Sequence, residues 1–385
     1  MSRWLSLLLA ALVTGGCGGF LGIGEDDDVG PQPAELTEFE ATLPVARLWA
    51  ADCGAGAGEA ALALSLTIDG ERIYCADHEG VVSAFTLADG KNIWRVQTEL
   101  PISGGPGVGA GRVVVGTADA QVAALAADDG RELWRTRVSS EMLSRPGVGV
   151  AVVMVQTADG RLAALDADSG QRLWYYDSSV PALSLRGTSP PQVDGDLVIS
   201  GFSSGKLAAF ALQDGRQIWE IGIATPRGRS ELDRMVDLDA APVVRGDTVY
   251  AVAYQGRVAS IARQSGTLIW SREFSSSSGL DVAGGRIFIG DTEGHVWALD
   301  SNGGASYWRQ EQLQHRQLSA PVVIGSTVVV GDFEGYLHFL DGSDGRLVAR
   351  TNVGGGPILT PPLVRGNTVY VLGAGGALVA VKVGG

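Results

Sequence analysis

The chain has 385 residues, of which 55 are glycine, 4 are histidine and 3 are cysteine, and its formal net charge is -14. Glycine at about 14% is roughly twice its average use, but proline is ordinary and no G-X-Y period exists, which excludes a collagen-like or low-complexity chain. An acidic chain with a pI near 4.7 has no electrostatic reason to bind phosphate backbones, which argues against nucleic acid as a partner. Four scattered histidines argue against a histidine-built metal site.

The first residues have the pattern of an export signal. Arg3 precedes an apolar run from Trp4 to Val13, which is too short to cross a bilayer as a helix. The small residues before Cys17 resemble a bacterial lipoprotein processing site, where cleavage leaves a lipidated cysteine at the new N-terminus. The resemblance predicts a signal peptide over residues 1–16 and lipidation at Cys17. The alternative is a plain secretory signal with an incidental cysteine.

Residues 17–39 are predicted to form a flexible acidic tether. They contain the acidic run Glu25 to Asp28 together with Pro31 and Pro33, a composition typical of solvated segments without a core. Two or three acyl chains on Cys17 would hold the protein durably to a membrane, whereas one chain alone is marginal. Gly18 rather than aspartate follows the cysteine, which by resemblance to bacterial lipoproteins implies sorting to the outer membrane.

A small residue that opens an alternating apolar strand occurs eight times along the chain. Seven copies have a second glycine ten residues later, in a place that suits a hairpin turn with positive φ, and six have a tryptophan four residues further on. Each copy holds four strands in about 43 residues, which is the unit of a β-propeller blade. The openings are Gly80, Ala120, Gly160, Gly205, Gly256, Gly294, Gly335 and Gly376, the second glycines are Gly90, Gly130, Gly170, Gly215, Gly266, Gly304 and Gly345, and the tryptophans are Trp94, Trp134, Trp174, Trp219, Trp270 and Trp308, with Ala349 in the seventh copy.

The two ends of the pattern predict how the ring closes. The eighth copy opens at Gly376 and has no outer strand, whereas residues 45–49 form a tryptophan-bearing strand with no copy before it. We therefore expect an all-β fold, an eight-bladed β-propeller of four-stranded antiparallel blades over residues 40–385, closed by pairing of residues 45–50 with residues 377–381. The repeat tryptophans and Trp49 are expected to pack between adjacent blades. At Ala349 the contact between the seventh and eighth blades is expected to be looser or filled from elsewhere.

Cys53 and Cys75 allow two interpretations. An exported chain permits a disulfide between them. Cys75, however, lies in an apolar strand pattern, where a buried free thiol is the simpler interpretation.

Features of enzymes are present only in part. The segment from Ala164 to Trp174 resembles the tryptophan-docking repeat of quinoprotein dehydrogenases, which are also eight-bladed, but the chain has no adjacent cysteines. The segment from Gly201 to Gly205 matches the hydrolase pattern G-x-S-x-G, yet it falls in a predicted hairpin instead of a strand-to-helix turn. The sequence therefore predicts no catalytic residue, no metal site and no cofactor. A periplasmic quinoprotein-like enzyme or a ligand-binding propeller is the alternative.

Two consecutive intervals between openings are long, 45 residues from Gly160 to Gly205 and 51 residues from Gly205 to Gly256. The offsets after the openings are unchanged, so the extra residues lie between the outer strand of one blade and the inner strand of the next. Such connections share one rim of a propeller, and these two are neighbours.

The composition of both insertions suits a protein interface with an apolar centre and a charged rim. The first contains Leu183, Leu185 and Arg186, and the second contains residues 229–239 with several charged side chains. In the alternative interpretation, Arg186 pairs with Asp237 or Asp239 and only pins the two insertions together.

The lipoprotein signal, the acidic tether, the eight blades and the motifs of the insertions together resemble the BamB family, the propeller lipoproteins of the outer-membrane β-barrel assembly machinery. The resemblance implies a non-enzymatic periplasmic scaffold, held at the outer membrane by its lipid anchor alone. It implies as partner the POTRA domains of BamA, the barrel-inserting subunit, with unfolded outer-membrane proteins as a further candidate. The motifs are Leu183–Gly187, Glu231–Arg234 and Gly331–His338, and the residues that match the family's docking site are Leu183, Leu185, Arg186, Asp237 and Asp239.

Overall fold

The computed structural model describes residues 31–59 and 62–384. All regular secondary structure in these residues is β-strand, in eight antiparallel sheets of four strands each. The sheets are the blades of a ring, which confirms the predicted eight-bladed β-propeller. Within the described ranges no helix is long and apolar enough to cross a membrane. The signal segment and Cys17 lie outside the described residues.

Every blade is an antiparallel meander whose first strand lies nearest the central axis, where it contacts the first strand of a neighbouring blade. The strands of the first four blades are β2 (Thr67–Asp69), β3 (Arg72–Ala76), β4 (Val81–Thr86) and β5 (Asn92–Gln97) in blade 1; β6 (Ile102–Gly109), β7 (Arg112–Thr117), β8 (Gln121–Ala126) and β9 (Glu132–Arg137) in blade 2; β10 (Gly147–Val148), β11 (Val152–Gln156), β12 (Arg161–Asp166) and β13 (Arg172–Asp177) in blade 3; and β14 (Gln192–Asp194), β15 (Leu197–Gly201), β16 (Lys206–Ala211) and β17 (Gln217–Gly222) in blade 4.

The remaining blades follow the same order, except that the outer strand of blade 8 comes from the N-terminal side of the chain. These strands are β18 (Val243–Arg245), β19 (Thr248–Val252), β20 (Gly256–Ala262) and β21 (Leu268–Phe274) in blade 5; β22 (Leu280–Ala283), β23 (Arg286–Gly290), β24 (Val296–Asp300) and β25 (Ser306–Gln310) in blade 6; β26 (Val322–Ile324), β27 (Thr327–Gly331), β28 (Tyr336–Asp341) and β29 (Leu347–Asn352) in blade 7; and β30 (Leu363–Arg365), β31 (Thr368–Leu372), β32 (Ala377–Val383) and β1 (Val45–Asp52) in blade 8.

Burial explains the two sequence patterns within a blade. The middle strands are covered by neighbouring blades on both faces, so β8 has four consecutive buried residues in its centre. The outer strand β9 is half exposed and buries mainly Trp134. The core is therefore a series of apolar layers between blades.

Strand β1 closes the ring as predicted. It pairs antiparallel with β32, from Val45 opposite Val383 to Asp52 opposite Ala377. Immediately after β1, Cys53 forms a disulfide with Cys75 of β3, with the two Cα atoms 6.0 Å apart. This bond decides between the two interpretations of the cysteines, and it joins the outer edge of blade 8 to blade 1.

Removal of this disulfide is expected to destabilise the closed ring. The double variant Cys53→Ala, Cys75→Ala removes a covalent link between residues 22 positions apart. Loss of a native disulfide lowers the free energy of unfolding by about 2 to 4 kcal/mol. Urea unfolding of wild type and the double variant measures the difference. Equal midpoints, or two alkylatable thiols in unreduced wild type, would contradict the assignment.

Each repeat tryptophan lies against the turn between the third and fourth strands of the next blade. The glycine in that turn has φ between 68° and 78°, and a Cβ there would collide with the indole of the preceding blade. The indole Nε1 donates a hydrogen bond to a carbonyl of the same turn at 2.8 to 3.3 Å. The docked pairs are Trp49 with Gly90, Trp94 with Gly130, Trp134 with Gly170, Trp174 with Gly215, Trp219 with Gly266, Trp270 with Gly304 and Trp308 with Gly345.

Ala349 has no such turn to dock on. In blade 8 the third and fourth strands, β32 and β1, come from opposite ends of the described chain, so no hairpin joins them. Ala349 is buried, and Leu43 and Val45 pack against its cluster. Backbone N–H groups of Thr42 and Leu43 donate to the Val348 carbonyl at 2.9 and 3.0 Å. The space opposite Ala349 is filled from elsewhere, which is one of the two outcomes expected from the sequence.

The compact unit that contains the propeller begins at Pro33. The Ala34 N–H donates to the Gln314 carbonyl at 2.9 Å, and the Arg316 guanidinium donates to the Ala34 carbonyl at 2.9 Å. Arg350 donates to the Thr37 carbonyl at 3.1 Å. Residues 34–43 therefore run along blades 6 to 8 before β1 begins.

Candidate functional site

The two insertions lie on one face of the ring. In an antiparallel blade, the turns between second and third strands and the connections to the next blade share one end, and the other hairpins share the opposite end. The first insertion, residues 178–191, connects β13 to β14, and the second, residues 223–242, connects β17 to β18. We call the two insertions together the docking loops. The structure places them where the spacing of the repeats predicts.

Asp237 holds the docking loops together. Its Oδ2 accepts a hydrogen bond from the Leu185 N–H of the first insertion at 2.9 Å, and its Oδ1 accepts from the Leu238 N–H at 2.9 Å. Its carbonyl also accepts from the Tyr254 N–H at 2.8 Å, which fixes the second insertion to blade 5. Asp237 is only 1% exposed. Its carboxylate therefore supports the loops from inside.

Asp239 lies beside Asp237, and the two carboxyl groups are hydrogen-bonded to each other. Burial, together with the charge of Asp237, raises the pKa of Asp239 to about 9. A Cβ at position 187 would collide with the Asp239 carboxylate, so Gly187 allows the first insertion to approach this closely. The carboxyl pair retains a proton at neutral pH and joins the insertions without two full negative charges.

Arg186 does not pair with Asp237 or Asp239, and the pinning contact proposed for it is wrong. Its guanidinium lies 3.5 Å from the Glu141 carboxylate, in the connection between blades 2 and 3, and its side chain is 52% exposed. The loops are pinned through the Leu185 backbone instead, which leaves Arg186 directed to solvent. Such an exposed ion pair contributes about 0 to 1 kcal/mol, so a competing carboxylate can displace it.

Apolar side chains stand exposed on both insertions. Leu183 is 43% exposed in the first, and Leu232 is 66% exposed in the second. Further along the second insertion, the buried Val236 and Leu238 anchor it in the core. The spacing of the repeats does not single out Leu232 or Glu141 individually. Leu232, Val236 and Leu238 do not alternate in the sequence, and Glu141 lies on a connection of ordinary length, so the sequence pattern has no signal for either residue.

The arrangement is suited to recognition. It presents leucines and a guanidinium on a support fixed by buried hydrogen bonds, and a rigid support lowers the entropy lost on binding. In residues 31–59 and 62–384, no three His, Cys, Asp or Glu side chains come together in a way that could hold a metal ion. The G-x-S-x-G segment from Gly201 to Gly205 forms the turn between β15 and β16, so it does not have the geometry of a nucleophile elbow.

The buried carboxyl pair makes stability depend on pH. The folded pKa of Asp239, about 9, lies above its ordinary value of 3.8, so between these values the folded chain holds a proton that the unfolded chain has released. This contribution is complete at low pH and is lost as pH rises toward 9. The side chain introduced by Asp239→Asn is neutral at every pH. Between about pH 5 and about pH 8.5, the variant should therefore lose less unfolding free energy than wild type, by on the order of 1 to 3 kcal/mol.

Urea unfolding at both pH values tests this expectation. Asp247→Asn, at an exposed hairpin position, is the matched control and should follow wild type. If Asp239→Asn and wild type lose the same free energy on going to high pH, the carboxyl pair is not protonated in the folded chain.

The sequence of this chain matches one protein family over most of its length. A family model described as "Outer membrane protein assembly factor BamB" matches residues 78–310 and 304–384. A relative of that name from Pseudomonas aeruginosa is 51% identical over 325 residues, which is 84% of each chain. Another of that name, from Escherichia coli, is 36% identical over 326 residues, or 82% of each chain. These relatives are named as assembly factors and not as enzymes.

Solved structures extend the comparison. The crystal structure of BamB from Moraxella catarrhalis superposes with a TM-score of 0.81 at 26% identity, over 88% of this chain and all of that one. A europium-containing methanol dehydrogenase superposes with a TM-score of 0.72 at 14% identity, over 88% of this chain and 93% of that one, a likeness of fold alone. With identity above one-third over most of its length and a family model that matches well over half of it, this chain belongs to the BamB family of outer membrane protein assembly factors.

Proposed function

We propose that this protein is a non-enzymatic scaffold for the assembly of outer-membrane β-barrel proteins, and that its docking loops bind the POTRA domains of BamA. One observation carries the proposal. The two insertions that interrupt the repeat are joined to each other by the Asp237 carboxylate and the Leu185 N–H, and the joined loops present Leu183 and Arg186 to solvent.

The five docking residues would have two kinds of role. Leu183 and Arg186 are exposed and would contact the partner, with Leu185 partly exposed between them. Asp237 is buried and would act as a positioning residue through the Leu185 backbone. Asp239, hydrogen-bonded to Asp237, would do the same from below Gly187. A substitution of Asp237 would therefore weaken binding without removing a direct contact.

The chemistry of the loops specifies the complementary surface. Exposed leucines require an apolar depression, and arginine at the centre of an interface is among the residues that contribute most to affinity. Arg186 would exchange its weak contact with Glu141, at 3.5 Å, for a carboxylate of the partner. This exchange costs little because the contact with Glu141 is exposed and long.

The lipid anchor would place this surface at the periplasmic face of the outer membrane. The compact unit begins at Pro33, so the tether from Cys17 would span up to about 55 Å when fully extended. That reach allows the ring to stand away from the lipid surface while it remains attached. The strongly acidic chain would not lie flat on anionic lipid.

Detergent co-purification from outer membranes tests the proposal. The tagged full-length lipoprotein is expected to retain BamA through washing, and to carry no quinone absorbance. A preparation that lacks BamA and carries a bound quinone chromophore would support the enzyme alternative. Retention of unfolded outer-membrane proteins would be scored in the same preparation.

A further inference from the structure

A cavity of about 810 Å³ lies at the centre of the ring. It is lined by the first strands of several blades and by the connections that lead into them. Part of its wall is formed by Leu185 and Arg186 of the docking loops. Its volume falls within the range of about 300 to 1,000 Å³ typical of small-molecule sites.

Arg145 lines this cavity without a counter-ion. It lies on the connection between blades 2 and 3, next to the buried Ser144 and Pro146. Within the described residues its guanidinium has no hydrogen-bond or ion-pair partner, unlike Arg186 with Glu141 and Arg245 with Asp281. Burial lowers the pKa of Arg145, because its charge is withdrawn from water and faces no carboxylate. An uncompensated, largely enclosed charge is costly unless a ligand supplies its partner.

The carboxyl groups in the wall do not neutralise Arg145. Asp281 is engaged by Arg245 at 2.9 Å and by the Val323 N–H at 3.0 Å. Asp239 has a pKa of about 9 and is largely protonated at neutral pH. The cavity is thus positively charged at the centre of a protein whose net charge is -14. A positively charged cavity within a negatively charged protein favours an anion over a cation or a neutral ligand.

The rest of the wall is mostly apolar. Leucines, valines and prolines surround the charged groups, and the hydroxyl of Ser65 is a second polar group of the wall that has no hydrogen-bond partner in the described chain. A phosphate or other compact, strongly hydrated anion would leave this apolar surface unused. A carboxylate joined to an apolar body would use both parts. Apolar residues of the wall include Leu62, Leu66, Leu143, Val243, Val322 and Leu363.

We propose that the central cavity binds a carboxylate carried on an apolar body, with Arg145 as its counter-ion. The C-terminal residue of a peptide and a short fatty acid share this chemistry. The site adjoins the docking loops, which contribute Leu185 and Arg186 to its wall, but Arg145 itself is not one of the docking residues. A charge-assisted hydrogen bond to the guanidinium would fix the carboxylate, and the apolar wall would hold the chain behind it.

Isothermal titration calorimetry of the full-length protein tests the proposal with four probes. Octanoate and the neutral octanamide form one pair, and a peptide that ends in Leu-Phe with a free carboxylate and the same peptide with an amidated end form the other. At least one acid is expected to bind saturably at one site, at least tenfold tighter than its amide. Octanoate alone, the peptide acid alone, or both would each support the proposal and identify the source of the carboxylate. Absence of saturable binding by both acids, or equal binding of acids and amides, would overturn it.

Variants assign the site. Arg145→Gln is expected to weaken binding of the acid at least tenfold, and Arg145→Lys to restore part of it. Arg131→Gln, at an exposed hairpin on the opposite face, removes the same charge and should bind as wild type.

Thermal unfolding shows whether Arg145→Gln folds, and this variant should be at least as stable as wild type because an unpaired charge is removed. BamA retention should persist in Arg145→Gln, so loss of acid binding is distinguishable from failure of the docking proposal. Unchanged acid binding by folded Arg145→Gln would overturn the assignment.

Discussion

Arg186→Glu is expected to abolish co-purification of BamA, with retention at least tenfold below wild type. The substitution removes the exposed guanidinium and places a carboxylate beside Glu141, so the centre of the docking surface becomes negative. A reversed charge at a desolvated interface costs several kcal/mol. Stability should change little, because the ion pair with Glu141 is exposed and 3.5 Å long, and such a pair is worth about 0 to 1 kcal/mol.

Arg131→Glu is the matched control. It carries the same reversal on an exposed turn between the third and fourth strands of blade 2, on the face away from the docking loops. It should retain BamA as wild type does. If Arg186→Glu retained BamA, Arg186 would be excluded from the interface, and if it melted well below wild type, a structural role would explain any loss of binding.

Trp134→Ala is expected to lower the free energy of unfolding by about 3 to 5 kcal/mol. The indole is 8% exposed and packs on Gly170 of the next blade, and its Nε1 donates to the Ala167 carbonyl at 2.8 Å. Truncation opens a cavity between blades 2 and 3 and leaves that carbonyl without this donor. The glycine turn cannot fill the space, because it has no side chain to move into it.

Two further variants separate packing from hydrogen bonding. Trp134→Phe keeps a ring but removes the donor, so it should cost less than Trp134→Ala. Leu133→Ala, at an adjacent residue that is 38% exposed, should cost under about 1 kcal/mol. Urea unfolding measures all three. A loss of unfolding free energy for Trp134→Ala no larger than for Leu133→Ala would show that the docked tryptophans do not hold the blades together.

The repeat makes most of the fold predictable. The glycine and tryptophan of each copy stand at fixed offsets because one docks on the other across a blade junction, so a single physical contact recurs around the ring with small variations. In the fifth copy the left-handed residue is Gln255 and not Gly256, a shift of one position that the offsets do not reveal. Ala349 departs from the pattern because blade 8 has no hairpin opposite it.

The candidate site is predictable in place but not in detail. The insertions are local in sequence, and counting residues between openings finds them. The partner of Arg186 is Glu141, on another connection 45 positions away, and the burial of Asp237 depends on how both loops fold over blade 5. Such contacts between distant residues have no signature in spacing. For the same reason the sequence alone does not decide whether Cys53 and Cys75 are bonded, because their proximity depends on the junction of blades 8 and 1.

Site-specific photocrosslinking in intact outer membranes tests the central claim most directly. A benzophenone amino acid is placed at position 183, at 232 or, as control, at 131, in the full-length lipoprotein. We expect crosslinks to the POTRA region of BamA from positions 183 and 232 and none from 131. Crosslinks to BamA from 131 alone, or no BamA crosslink from either docking position in a folded, membrane-attached protein, would contradict the account.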